Sequence, residues 1–171
     1  MDKKIFKIGF IVGGVIAIII ASVIYFKVSK YTKEMSKQLE DIALNEVEVY
    51  NLNGDTVSLN QYNGQPLIVN FWATWCGPCI RELPHFEEVK KELGDEINFV
   101  MISDERTNKI AKFIDSKPYS FPFLKSKIDL SAYGITSIPR TYLYSSQGKL
   151  ITKHAGSLDA KKLKKLIEEI R

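Results

Sequence analysis

Cysteine and histidine are scarce: the 171 residues hold two of each. Two cysteines are too few to staple a small secreted scaffold, which takes several spread along the chain. A zinc site would need a second ligand pair beside Cys76 and Cys79, and His85 and His154 do not have that spacing. No metal is therefore expected, and both histidines read as surface or rim residues. Repeats and low-complexity tracts are absent as well. An excess of charge is missing from most of the chain. Residues 1–34 carry six lysines against Asp2 and Glu34, which is the whole formal excess of +4. The remainder has 18 basic and 18 acidic residues, so nothing indicates a nucleic-acid partner.

Charge is wholly absent from Ile8 to Phe26, a run of 19 residues. As a helix this run spans about 28 Å, close to the roughly 30 Å hydrocarbon core of a bilayer. A cleaved signal peptide is the competing reading. Its apolar region takes about 7–15 residues and ends at a small-x-small site, and no such site follows Tyr25. The expected order is a basic cytoplasmic flank (1–7), a single transmembrane anchor in contact with lipid (8–26) and a polar tether (27–41). Lysines flank the run on both sides, so charge alone biases orientation weakly. The N-terminus is expected inside, with residues 42–171 on the extracytoplasmic side of the cell membrane.

Beyond the tether the apolar pattern alternates. Val47, Val49 and Leu52 precede Asn53-Gly54 and Thr56-Val57-Ser58-Leu59, the signature of a hairpin. Leu67 to Ala73 is continuously apolar but for Asn70, as a central strand covered on both faces must be. A helix is predicted from the cysteines to about Leu93, broken or kinked at Pro84. A second buried strand follows at Ile97–Ser103, then a helix at Thr107–Ser116. Phe121–Leu124 reads as a short extended piece, and Leu130–Tyr133 as a helical turn. A terminal hairpin (141–144 and 150–152) and an amphipathic helix (158–171) close the chain. Strand–helix–strand alternation ending in a hairpin and helix predicts an α/β sandwich.

The chemistry sits where the first long strand gives way to the helix. A thiol at a helix start faces orphan N–H groups and the positive end of the dipole, and both favour a thiolate. Cys76 is therefore the expected attacker of a partner disulfide. Cys79, three residues on, is the expected resolver of the mixed disulfide. Pro78 fits the first turn, where a missing N–H costs little.

The segment Phe71-Trp72-Ala73-Thr74-Trp75-Cys76-Gly77-Pro78-Cys79 resembles the active-site segment of the thioredoxin superfamily. The anchor, the hairpin before the first core strand, and Glu82-Leu83-Pro84 after the second cysteine narrow the likeness to the membrane-tethered TlpA/ResA-like branch. It covers about residues 42–171. It implies a thioredoxin-like three-layer α/β/α sandwich with an N-terminal β-hairpin extension, and a redox-active Cys76–Cys79 disulfide in place of any cofactor. It implies that Ile138-Pro139 is a cis-proline loop facing the cysteines, and that Trp75, Ile138 and Pro139 bind substrate. It further implies that Glu82, on the same helix side as Cys79, tunes the thiols or relays a proton. A surface glutamate is the other reading of Glu82. Thioredoxin itself has a buried aspartate six residues before the first cysteine. This chain has Asn70 there, which removes that relay and favours Glu82. The peroxide-reducing motif of peroxiredoxin relatives would need a hydroxyl at Ala73 and a proline at Val69, and this chain lacks both.

The function implied is reduction of extracytoplasmic protein disulfides, with apocytochrome c during cytochrome c maturation as one substrate and a membrane thiol-transfer protein as electron donor. A disulfide-forming oxidase and a non-catalytic peptide-binding module are the alternatives.

Overall fold

The computed structural model describes residues 13–14, 16–31 and 44–170. The chain divides into two units, Met1–Asp41 and Ile42–Arg171. In the first, residues 13–14 and 16–31 are helical. Among the described residues no helix is long and apolar enough to cross a membrane. The expected span over 8–26 lies partly outside the described residues, the flank 1–7 lies wholly outside them, and of the tether only 27–31 is described, as a continuation of the helix.

The second unit is built on one seven-stranded sheet. Its strands are β1 (Val49–Tyr50), β2 (Thr56–Val57), β3 (Leu67–Phe71), β4 (Asn98–Ser103), β5 (Phe123–Ser126), β6 (Arg140–Tyr144) and β7 (Leu150–Ala155), in the order β2-β1-β5-β4-β3-β6-β7. The helices are α1 (Gly77–Leu93), α2 (Thr107–Ile114) and α3 (Ala160–Ile167). The central strand β3 runs parallel to β4 and antiparallel to β6, and every residue of it is buried.

Period-two alternation along the strands sorts side chains into two apolar clusters. Ile68, Trp72, Phe99, Met101 and Leu143 point to one face, where they meet Leu83, Phe86 and Val89 of α1, Ile110 of α2, and Leu163 and Ile167 of α3. Leu67, Val69, Phe71, Val100, Ile102, Tyr142 and Tyr144 point to the other. That second face is covered by Leu44, Val47, Leu59, Leu130 and Ile135, from 3-10 turns and connecting segments, and no α-helix contributes to it among the described residues. The layering thus differs from the expected α/β/α arrangement. The sheet order explains why. The steps β3→α1→β4 and β4→α2→β5 move across the sheet in the same direction, and right-handed crossovers then place both helices on one face.

Several element boundaries also differ from expectation: β5 runs over Phe123–Ser126 rather than 121–124, and α2 ends at Ile114 rather than Ser116. Helix α1 is continuous through Pro84. Pro84 lies on the exposed side of the helix, and its ring leaves one carbonyl a turn back without its intrahelical donor. Gly94 ends this helix at φ 59°, a left-handed-side conformation that favours glycine. Strand β7 runs on to Ala155, held by pairing with β6 as far as Arg140↔Ala155. Helix α3 begins only at Ala160, because Asp159 caps it by accepting from the Lys162 N–H at 2.8 Å.

Phe86 is fully buried and stands edge-on to Phe99, with ring centroids 6.3 Å apart. Phe86→Ala should lower the unfolding free energy by about 3–5 kcal/mol in urea titration, the usual cost of a deleted core aromatic.

Candidate active site

The site forms where β3 ends. The Cys76 N–H donates to the Ala73 carbonyl at 3.1 Å, which closes a tight turn carrying Thr74 and Trp75. Cys76 is the N-cap of α1: its backbone is extended, and its Sγ accepts from the Cys79 N–H at 3.3 Å. That bond occupies one of the orphan donors at a helix start and holds the sulfur against the positive end of the dipole. Gly77 and Pro78 occupy the first helical positions, and Cys79 follows on the inward side of the turn. The two sulfurs are joined as a disulfide with their Cα atoms 5.2 Å apart. Exposure is unequal, at 4 % for Cys76 and 0 % for Cys79, while Trp75 beside them is 72 % exposed.

The register of β6 on β3 brings the second half of the site into place. Asn70 faces Thr141 and Phe71 faces Arg140. One step further along both strands sets Pro139 opposite Trp72, at the edge of the cysteine turn. The Ile138–Pro139 peptide is cis. Pro139 is buried, with its carbonyl accepting from the Gly156 N–H at 3.0 Å, and Ile138 is half-buried between the two apolar clusters.

Glu82 lies on α1 with only 1 % of its surface exposed. Its Oε2 accepts from the Leu158 N–H at 2.8 Å, and its Oε1 accepts from Asn70 Nδ2 at 2.9 Å. The same Asn70 amide group donates to Thr141 Oγ1 at 3.0 Å. Burial pushes the Glu82 carboxyl up to about 7 from an ordinary 4.5, against the opposing pull of the Leu158, Asn70 and Ser157 hydrogen bonds. The carboxyl therefore changes charge close to neutrality, a few residues from the disulfide.

The two histidines lie on α1 and β7. His85 is half-buried on α1, 3.9 Å from Glu88. His154 lies on β7 opposite Thr141, and its pKa is lowered by burial and by the charges of Lys162 and Arg140. Val69 and Ala73, at the positions a peroxide-reducing cysteine would use for a proline and a hydroxyl, are both buried apolar residues.

Spacing along the chain pointed to none of Asn70's partners, nor to Leu158, which lies 76 residues from Glu82. It also gave no signal for Glu105, whose Oε2 accepts from the Thr74 N–H in the cysteine turn at 2.6 Å.

A helix-capping cysteine bonded to a buried partner three residues on, with a cis-proline leading into the neighbouring strand, defines a thiol–disulfide oxidoreductase of the thioredoxin fold. The chain belongs to the AhpC/TSA family, whose match spans residues 28–153. It is 33 % identical over 122 residues to the thioredoxin-like protein YneN of Bacillus subtilis, covering 68 % of this chain and 72 % of that one. It is 32 % identical over 125 residues to the thiol-disulfide oxidoreductase ResA of Halalkalibacterium halodurans, covering 70 % of each. Among solved structures it resembles the pneumococcal exposed lipoprotein thioredoxin Etrx1 of Streptococcus pneumoniae, with a TM-score of 0.63 at 25 % identity, over 75 % of this chain and 98 % of that one.

The Glu82 carboxyl sets a pH dependence whose sign is fixed. It keeps its proton up to about pH 7 in the folded chain and to about 4.5 in the unfolded one. Between those values the folded state binds more protons, so stability falls as pH rises. Urea titrations of the oxidised protein should show Glu82 contributing a loss on the order of 2–3 kcal/mol from about pH 4.5 to about pH 8. Glu82→Gln should remove most of that loss.

Proposed function

We propose that this oxidoreductase works at the outer side of the cell membrane, held there by an anchor over residues 8–26, and reduces protein disulfides. Apocytochrome c awaiting haem attachment is the substrate favoured by the likeness to proteins named ResA. The proposed electron source is a membrane protein that passes electrons by thiol transfer, and the Cys76–Cys79 pair serves as the redox group with no further cofactor or metal.

The observation that carries this reading is the asymmetry of the cysteine pair. Cys76 sits at the helix cap with a donor on its sulfur, while Cys79 is sealed beneath it. In the reduced protein the Cys76 thiolate attacks one sulfur of a substrate disulfide. A Cys76–substrate bond forms, and the first substrate thiolate leaves with the bond's electron pair. Cys79 then loses its proton to Glu82 and attacks Cys76 Sγ. The intramolecular disulfide forms, the second substrate thiolate departs, and protons restore both substrate thiols. A group titrating near 7 can both accept and return that proton at neutral pH.

Asn70 is suited to the exchange as well. Among the described residues its buried Oδ1 has no hydrogen-bond partner. Rotation of the amide by half a turn would set that oxygen towards Glu82 and Thr141, where it could accept from a protonated carboxyl and a hydroxyl together. The substrate chain is proposed to lie extended along Ile138 and Pro139 with Trp75 against its flank, as an added strand does at an edge.

One observation favours the opposite direction of electron flow. The hydrogen bond to Cys76 Sγ and the helix dipole stabilise the thiolate, and a stabilised reduced form makes a pair more oxidising. Equilibration with glutathione decides between the two: a potential near about −270 mV is expected, and one near about −120 mV would assign the protein to disulfide formation. In insulin reduction, Cys76→Ser should abolish activity, and activity surviving that change would overturn the mechanism. Cys79→Ser should accumulate a mixed disulfide that names the natural substrate.

A further inference from the structure

We propose that Asp104 and Glu105, neighbours on the loop between β4 and α2, form a bracket that sets the cysteine turn and the cis-proline segment at a fixed spacing. Glu105 is then a positioning residue for exchange with protein substrates. The inference rests on thiol exchange by Cys76 and concerns which substrates that exchange can serve.

Glu105 holds the cysteine turn from one side. Its Oε2 accepts from the Thr74 N–H at 2.6 Å, and its Oε1 accepts from Thr74 Oγ1 at 3.0 Å. Thr74 is the second residue of the turn closed between Ala73 and Cys76, and the turn's own hydrogen bond leaves its N–H unused. A carboxylate takes that donor and the hydroxyl together, so backbone and side chain of one residue are fixed by one group. Trp75 and Cys76 follow directly. The clamp is itself braced: the Glu105 side chain is 7 % exposed, Lys109 Nζ stands 3.7 Å from its Oε1, and its own N–H donates to Ser103 Oγ at 3.2 Å. Ser103 is fully buried at the end of β4.

Asp104 reaches to the other half of the site. Its Oδ2 accepts from the Leu130 N–H at 3.0 Å. Leu130 opens the 3-10 turn Leu130–Tyr133, whose end is tied back by the Ile135 N–H donating to the Leu130 carbonyl at 3.1 Å. The chain then runs from Ile135 to Pro139. Two adjacent carboxylates on one short loop thus grip the segment leading into Cys76 and the segment leading into Pro139. A protein disulfide must meet both segments at once, whereas a small disulfide needs only Cys76 Sγ. Loosening the bracket therefore penalises the large substrate selectively, because misplacement by about 1 Å can cost on the order of a hundredfold in rate.

The test compares two substrates in single-turnover mixing of the pre-reduced, full-length protein in detergent, with insulin and with hydroxyethyl disulfide. The hydroxyethyl disulfide rate reports Cys76 itself, and the insulin-to-hydroxyethyl ratio reports the bracket, so failure of the parent reading and failure of this one are distinguishable. Glu105→Ala should lower the ratio by about tenfold or more. Glu105→Gln should restore it, since an amide can accept from the Thr74 N–H and pair with the Thr74 hydroxyl. A ratio at the wild-type value in Glu105→Ala, or one that Glu105→Gln leaves as low, overturns the proposal. If Glu105→Ala does not fold, Thr74→Val deletes one of the two hydrogen bonds and must lower the ratio in part. An unchanged ratio there overturns the proposal as well.

Discussion

The antiparallel register of β6 on β3 is the constraint on which the site depends. It sets Asn70 against Thr141 and Phe71 against Arg140, and so carries Pro139 to the level of the cysteine turn. A slip of one residue would send Tyr142 and Tyr144 to the helix-covered face and Leu143 away from it. It would also part Thr141 from the Asn70 amide. The register is held because both faces of β3 and β6 are filled by side chains of fitted size. Apolar packing in two clusters thereby fixes the position of polar atoms at the strand ends.

Within that frame the redox pair and the partners of the buried Glu82 carboxyl are assembled from ends of elements. Cys76 stands at a helix start, Leu158 at the approach to α3, and Asn70 near the end of a strand. Glu82 alone comes from the body of a helix, and it is the group whose charge is hardest to keep. Its burial works against ionisation, while three hydrogen bonds work for it. The balance leaves a carboxyl that responds to pH near neutrality and that sits on the helix face shared with the buried cysteine.

The features legible beforehand were those with a local signature. Apolar continuity marked β3 and β4, turn residues marked both hairpins, and the nine-residue segment around the cysteines marked the site. The spacing of Glu82 from Cys79 placed them on one helix side but could not show that Glu82 is buried, because the Leu158 N–H that receives it is remote in the chain. The layering was also beyond local pattern. Whether α1 and α2 share a face depends on the order β5-β4-β3, and strand order leaves no trace in periodicity. The end of β7 and the late start of α3 were set by pairing with β6 and by the Asp159 cap, each of which overrode the apolar spacing. Glu105 carries no motif, and only the path of the β4–α2 loop brings it to Thr74.

The two tryptophans of the chain lie three positions apart at opposite extremes of solvent contact. Trp72 is sealed among Phe113 and Phe123, while Trp75 stands open beside the disulfide. The molecule therefore has two optical gauges of different reach. Emission from the inner indole follows the integrity of the core and is shielded from dissolved quenchers. The outer one is open to such quenchers, and the docking proposed for a substrate chain beside Cys76 would cover it. Docking and unfolding then leave separate marks in the light from a single unlabelled protein.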